Sequence, residues 1–335
     1  MAAALATQQT GTTMKALVQE GTGSADVLHL REIERPAVAD DRVLIRVRAA
    51  SVNALDWHNV HGGRILTIIG ALTRQKNIPV RGVDVAGEIE AVGKNVTRLR
   101  PGDVVFGTGR STFAEYATST ERVLVTKPTQ LSFAQAACFG VAAVTALQGL
   151  RDKGQLKAGQ RALIYGAGGG VGTFAVQIAK ALGARVTAVT STGNLELVRS
   201  MNPDLVIDYS TEDFTRRPER YDVVADVAGD RSFADMRRLL APNGRIVLIG
   251  AAKKSWFAVF ARLGTSMLRS RLGSKWLVLH MAAITNEDLV ALKEMVEAGK
   301  LMPVIDREYP LSEAAEAVRY VGTGKARAKV VITVR

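Results

Sequence analysis

A single cysteine, Cys138, in 335 residues leaves no intrachain disulfide and no zinc site built from several thiolates. A reducing, cytoplasmic compartment is the expectation that follows. Histidine is scarce, at four, and aromatic residues make up 5% of the chain, too few to suggest a stacking platform for bases. No apolar run is long enough to span a bilayer. The opening MAAALATQQTGTT lacks a basic start, a proper apolar core and any arginine, so it fits neither a secretory signal nor a transit peptide. It reads as a frayed tail before a first strand at 14–19. Since no nucleic-acid motif accompanies the net charge of +12, the anionic phosphates of a bound nucleotide are its more economical target.

What is present is an ordinary globular composition, 47% hydrophobic and 23% charged, on a chain long enough for two domains. To about residue 127 short strand-like runs (KALVQE, RVLIRVRAA, AGEIEAVG, DVVFG, RVLVTKP) are punctuated by glycine, proline and aspartate, a compact, mostly β pattern. From Leu131 the pattern changes. SFAQAACFGVAAVTALQGL has a serine cap and helical spacing, and strands and helices then alternate through GRIVLIG, which predicts a parallel sheet covered on both faces. A helix in LSEAAEAVRYVGTG and a strand in AKVVITV return to the first domain. The expected boundaries are 1–127 with 271–335 for the β-rich domain and 128–270 for the parallel one.

ASVNALDWHNVHGG, residues 50–63, gathers Asp56, His58 and His61 within six positions and invites a metal. The Asp-x-His spacing alone is weak evidence, and no second constellation supports it. The plainer reading is polar side chains on the first helical turn of a cleft wall.

LIYGAGGGVGTFAVQIAK is the most specific motif. A strand ends at Tyr165, glycines occupy 166 and 168–170, and a helix starts near Val171. Only glycine lets a backbone approach a pyrophosphate this closely, and the amides of a helix N-terminus then face the phosphates. The G-x-G-x-x-G spacing falls on Ala167, Gly169 and Gly172, with alanine first, but the flanking strand and helix supply the confirming context. The next strand, RVTAVT, ends in Thr190, Ser191 and Thr192 with no acid before Glu196. A carboxylate there would grip the ribose hydroxyls of NAD, whereas small hydroxyl residues leave room for a 2′-phosphate, so NADPH is expected. The alternative, that these are only turn residues, is supported by the lack of an arginine in the turn.

These stretches, with SVNALDW, GVDVAGEIEAVGKNVTRLRPGDVVFG, FAEYA and VIDYSTEDF, resemble the medium-chain dehydrogenase/reductases from Met14 onward. They are most similar to the zinc-independent quinone oxidoreductase branch, near bacterial relatives of the reticulon-4-interacting mitochondrial protein. The resemblance implies an α/β fold: a Rossmann doubly wound parallel sheet plus a β-rich, GroES-like N-terminal catalytic domain, commonly in homodimers. Zinc-dependent members place ligands where this chain has Asn53, Val83 and Val141, which cannot assemble a thiolate and imidazole site; the four-cysteine lobe for structural zinc is also absent. No metal is expected.

The resemblance further implies a nicotinamide between the domains, near Asn53 and Thr145. Asn53 is either an amide donor beside the reacting oxygen or a structural amide pinning its loop. Asp56 and His58 are candidates for a proton relay, or His58 lies only at the rim. Tyr165 is read as packing. Around the pyrophosphate the matching positions are Gly166, Gly169, Gly170, Val171 and Gly172. Around the adenosine they are Thr190, Ser191, Thr192, Asn194 and Tyr209, and at the nicotinamide end Ile249, Gly250 and Ala251. Two departures stand out: Gly193 replaces an arginine common in relatives, and Gly168 replaces a serine.

The expected activity is hydride transfer from NADPH to a quinone or an activated, α,β-unsaturated carbonyl compound. The alternatives are a pathway-specific enoyl or carbonyl reductase of secondary metabolism and a nucleotide-binding sensor without turnover. From Arg237 to Asn286 no acidic residue occurs, and aromatic side chains such as Trp256, Phe257 and Trp276 interleave with the lysines and arginines of 252–276. This stretch reads first as a solvated helix with its apolar face inward. A flap over the cleft and a basic segment on an anionic membrane are the other readings.

Overall fold

The computed structural model describes residues 13–21, 23–61, 80–249 and 276–335, with only the backbone of His61. Gly250, Ala251 and nearly all of the basic stretch 252–276 therefore lie outside the described residues, as does the expected tail up to residue 12.

The strands are β1 (Thr13–Gln19), β2 (Leu28–Glu34), β3 (Val43–Val52), β4 (Asp84–Val92), β5 (Val104–Thr108), β6 (Tyr116–Ser119) and β7 (Leu124–Thr126) in the first part of the chain. In the central part come β8 (Arg161–Tyr165), β9 (Arg185–Thr190), β10 (Leu205–Asp208), β11 (Tyr221–Asp226), β12 (Leu240–Leu248) and β13 (Leu277–Leu279), and then β14 (Ile305–Pro310) and β15 (Lys329–Thr333). The helices are α1 (Ala54–His61), α2 (Phe133–Ala136), α3 (Ala142–Gln148), α4 (Gly170–Ala181), α5 (Leu195–Ser200), α6 (Phe233–Arg238), α7 (Asn286–Glu297) and α8 (Ala314–Gly322).

One sheet has the order β10-β9-β8-β11-β12-β13 with every pair parallel. Counted from β8 this is 3-2-1-4-5-6, the doubly wound order whose crevice opens at the carboxyl ends of the first and fourth strands. Those ends are Tyr165 and Asp226. Leu163, Ile164, Val186, Ala188, Val224 and Val247 are fully buried, as strands covered on both faces require.

The other large sheet runs β14-β15-β3-β4-β5-β7, with β6 also on β3. β15 lies antiparallel against β3, Val330 opposite Val52 and Ile332 opposite Ala50, so the late strand does return to the β-rich domain. β13, however, pairs in parallel with β12. The parallel sheet thus continues past 271, where the sequence reading ended it, and the second crossing falls after Leu279. A single apolar core joins the two units: Ala49, Ala86 and Phe106 from the β-rich side pack with Phe139, Ala143, Phe174 and Leu292 from the other.

The run expected as one helix from Ser132 is broken. Ser132 caps α2 through a full capping box with Gln135, α3 starts only at Ala142, and a π-helical turn (Gly149–Lys153) follows. At the break a side chain on Gly140 would run into the Asp84 carboxylate and the Gly107 carbonyl. The interruption lets β4 touch the chain just before α3.

Candidate cofactor and reaction site

The glycine turn is built by close approach. Gly166 has φ +90°, which a residue with a side chain rarely adopts. A Cβ on Gly172 would collide with the Gly166 carbonyl oxygen, so glycine at 172 is what lets α4 pack onto the end of β8. Gly169 is the N-cap of α4 and offers no side-chain hydrogen bond to the first turn, leaving the leading amides to a ligand. Gly169, Gly170 and Val171 are half-buried at this turn.

Gly168 is constrained from the side. A Cβ there would lie 2.6 Å from Asn194 Nδ2, so the asparagine occupies the space that a serine would take. Asn194 Nδ2 reaches Ser191 Oγ at 3.4 Å, while Asn194 Oδ1 is buried with no partner among the described residues. An orphaned acceptor beside a glycine cradle is what a nucleotide hydroxyl or amine would satisfy. The cradle therefore fits a dinucleotide.

The three hydroxyl residues after β9 do different things. Thr190 is buried, and its carbonyl accepts the Tyr209 amide at 3.0 Å, so it fixes the strand end rather than facing a ligand. Thr192 Oγ1 donates to Asp208 Oδ2 at 2.6 Å. Ser191 Oγ accepts from Asn194 and keeps its own proton available. Asp208, at the end of β10, was invisible to a reading of one strand and its turn; the Thr192 hydrogen bond holds its carboxyl below the usual range, as an anion. Tyr209 is exposed, edge-on to Tyr165 at 6.0 Å. Tyr165 is more than packing: its hydroxyl donates to Asp230 Oδ1 at 2.6 Å, and burial pushes its pKa up.

The sequence also missed Arg327. Its Nη2 would lie 3.7 Å from a Cβ at Gly193, next to the turn that holds Ser191. The side chain is exposed, and its guanidinium has no partner among the described residues.

Between the sheets, Asp84 is a hub. Its Oδ2 accepts from Ser51 Oγ at 2.6 Å, Asn53 Nδ2 at 2.9 Å and Lys329 Nζ at 3.3 Å, and its Oδ1 accepts the Val141 amide at 2.8 Å. Lys329 Nζ also donates to Asn53 Oδ1 at 2.7 Å. Both ends of the Asn53 amide are thus engaged inside the protein, the arrangement of a loop-pinning residue. Lys329 in turn follows Ala328, whose amide donates to the Gly168 carbonyl at 2.9 Å, so β15 ties the phosphate turn to the Asn53 loop.

At the positions where zinc ligands would stand, Val83 and Val141 offer no donor side chain, and the Asp84 carboxylate nearby is paired with the Lys329 ammonium group. That donor set does not fit a divalent cation. Among the described residues no cluster of three or more His, Cys, Asp or Glu side chains could hold a metal.

Asp56 is 2% exposed and accepts the Asn53 amide at 2.8 Å. Burial raises its pKa from 3.8 to about 7, against the opposing pull of the Asn53 hydrogen bond. His58 lies half-buried, its ring edge-on to Trp57 at 4.9 Å. Thr145 Oγ1 donates back to the Val141 carbonyl at 2.6 Å, which keeps its hydroxyl proton inside the helix. Ile249, half-buried just past β12, donates its amide to Asp226 at 3.0 Å.

Two family descriptions match: "Alcohol dehydrogenase GroES-like domain" over residues 39–129 and "Zinc-binding dehydrogenase" over 202–332. The chain is 34% identical to the 2-methylene-furan-3-one reductase of Solanum lycopersicum, over 95% of its own length and 79% of the relative's. It is also 34% identical, with the same coverage, to the chloroplastic NADPH-dependent alkenal/one oxidoreductase of Arabidopsis thaliana. In three dimensions it is similar to the quinone oxidoreductase from Coxiella burnetii, with a TM-score of 0.85 and 29% identity over 96% of this chain and all of that one.

Proposed function

Because the chain belongs to the medium-chain dehydrogenase/reductases, in their quinone oxidoreductase branch, we propose that it reduces quinones or α,β-unsaturated carbonyl compounds with NADPH and without zinc. What supports the zinc-free part is the donor set: Val83 and Val141 carry no ligand atom, and the Asn53 side chain is already engaged by Asp84 and Lys329. When bound, the reduced nicotinamide supplies the hydride. A metal would contribute several kcal/mol by polarising a carbonyl. Without it the acceptor must be electrophilic already, as quinones and enones are, since the charge they gain is delocalised.

The chain's own contribution is then chiefly placement. The glycine turn and Asn194 hold the dinucleotide, and Lys329 fixes the Asn53 loop against the same turn. Asp56, poised near neutrality by burial, is the group on that loop suited to hold or release a proton at physiological pH. The preference for NADPH rests on Arg327: its cation takes the place of the arginine missing at Gly193 and faces a 2′-phosphate together with the Ser191 hydroxyl. Asp208 does not oppose this reading directly, because its carboxylate is engaged by Thr192 and by the Ser210 amide.

Among the described residues β13 is the edge of the parallel sheet, and Met281 just beyond it is 83% exposed. An edge with an exposed apolar side chain suits pairing with a second copy, so a homodimer through β13 is part of the proposal. Light scattering reads the mass directly.

The decisive experiment is rapid mixing of the protein and NADPH with a panel of quinones, enones and enoyl thioesters, together with elemental analysis. Oxidation by quinones and simple enones without stoichiometric metal is expected. Turnover of a single enoyl acceptor would favour a pathway reductase, and binding without oxidation a sensor. Zinc that tracks with activity would overturn the metal-free mechanism.

A further inference from the structure

His280 is the first residue after β13 and is 4% exposed. Its Nε2 lies 3.1 Å from the Thr145 carbonyl oxygen, which can only accept, so Nε2 carries the proton. Burial holds the ring below the usual histidine range and therefore neutral, with Lys153 reinforcing and Asp152 opposing the shift. Nδ1 is then a lone-pair acceptor, and it is buried with no hydrogen-bond partner among the described residues. Native interiors seldom leave such an atom unpaired without a role for it.

The ring's orientation says where that atom faces. A Cβ on Gly149 would lie 3.4 Å from His280 Cδ2 and 2.9 Å from Ile249 Cδ1. The Cδ2 edge is thus turned toward the end of α3, and Nδ1, on the other side of Cγ, is turned away from it. His280 itself lies at the carboxyl edge of the sheet, its amide bonded to the Leu248 carbonyl at 3.0 Å, where a doubly wound fold presents its ligand.

We propose that His280 Nδ1 accepts an N–H of the nicotinamide carboxamide and so fixes the rotation of the ring that donates hydride. The inference rests on the NADPH reading above and adds a side-chain contact to it. A carboxamide carries two N–H donors that need acceptors when buried. A neutral imidazole meets that need without adding negative charge beside the ring, whereas a carboxylate there would favour the oxidised, cationic cofactor. The hydrogen bond to Thr145 locks the tautomer that makes Nδ1 the acceptor.

The test compares NADPH with its reduced 3-acetylpyridine analogue, in which a methyl group replaces the amide nitrogen, by calorimetry without an electron acceptor. The wild-type protein is expected to bind NADPH more tightly than the analogue by several-fold, up to about tenfold, the scale of one well-made hydrogen bond. In His280→Phe that ratio falls by about the same factor, and in His280→Asn, which keeps a polar acceptor near the Nδ1 position, most of it survives. A ratio unchanged in His280→Phe, whatever the common loss of affinity, overturns the assignment while leaving the NADPH reading intact. Wild-type protein that binds neither dinucleotide would overturn that reading and this one together.

Discussion

Lys329 and Asp84 form an ion pair that solvent does not reach: Nζ lies 3.3 Å from Oδ2, and the side chains are 2% and 0% exposed. Breaking such a pair leaves an uncompensated buried charge, which costs about 3–5 kcal/mol. Lys329→Met should lower stability on that scale in urea unfolding. Adding Asp84→Asn should recover a substantial part, because the stranded charge is then gone. If Lys329→Met unfolds at the wild-type midpoint, the pair does not hold this junction together.

Asp56 gives stability a definite slope with pH. Its folded pKa, about 7, lies above the value of 3.8 for an exposed aspartate, so the native state binds the proton more tightly than the unfolded chain does. This contribution is fully present below the unfolded pKa and is lost as pH rises through the folded one. The free energy of unfolding should decline from about pH 4 to about pH 7, by an amount on the order of a few kcal/mol from this group. Asp56→Asn, which keeps an acceptor for the Asn53 amide, should flatten that part of the profile.

Gly168 and Asn194 compete for one space. Gly168→Ser is expected to displace the asparagine and weaken NADPH binding several-fold, about 1 kcal/mol for a lost hydrogen bond. Combining it with Asn194→Ala should weaken binding less than the two single changes would if they simply added, since the collision is removed. Fluorescence titration of the four proteins measures that coupling.

Arg327→Ala should weaken NADPH binding by at least about tenfold, the lower range for a charge-assisted hydrogen bond. NADH binding should be nearly unchanged, because NADH lacks the 2′-phosphate. Equal losses for both cofactors in calorimetry would refute the assigned role.

The parts of this protein legible in its sequence are those whose cause is local. β8, the glycine turn and α4 were visible because an apolar run, a run of glycines and a helical pattern stand side by side. Lys329 was not, since its partners Asn53 and Asp84 are 276 and 245 residues away. A lysine inside the alternating apolar run AKVVITV was the only hint that it is buried. Arg327 and Asp208 were missed for the same reason: each reaches the turn after β9 from another strand or its approach. The break at Gly140 was hidden too, for helical spacing continues across it and only the Asp84 carboxylate in space explains the interruption. α7 could have been found, since Thr285 followed three residues later by Asp288 is a capping signal, and Asp288 does donate its amide to Thr285 Oγ1. The boundary at 271 failed because β13 is only three residues long.

The amide of Ala328 holds the carbonyl of Gly168, so the glycine turn is braced by a segment made some 160 residues after the turn itself. A nascent chain emerging from the ribosome carries the glycine bend long before its buttress arrives. The brace on that bend therefore forms only once β15 has been made, and a chain truncated ahead of β15 would be left without it.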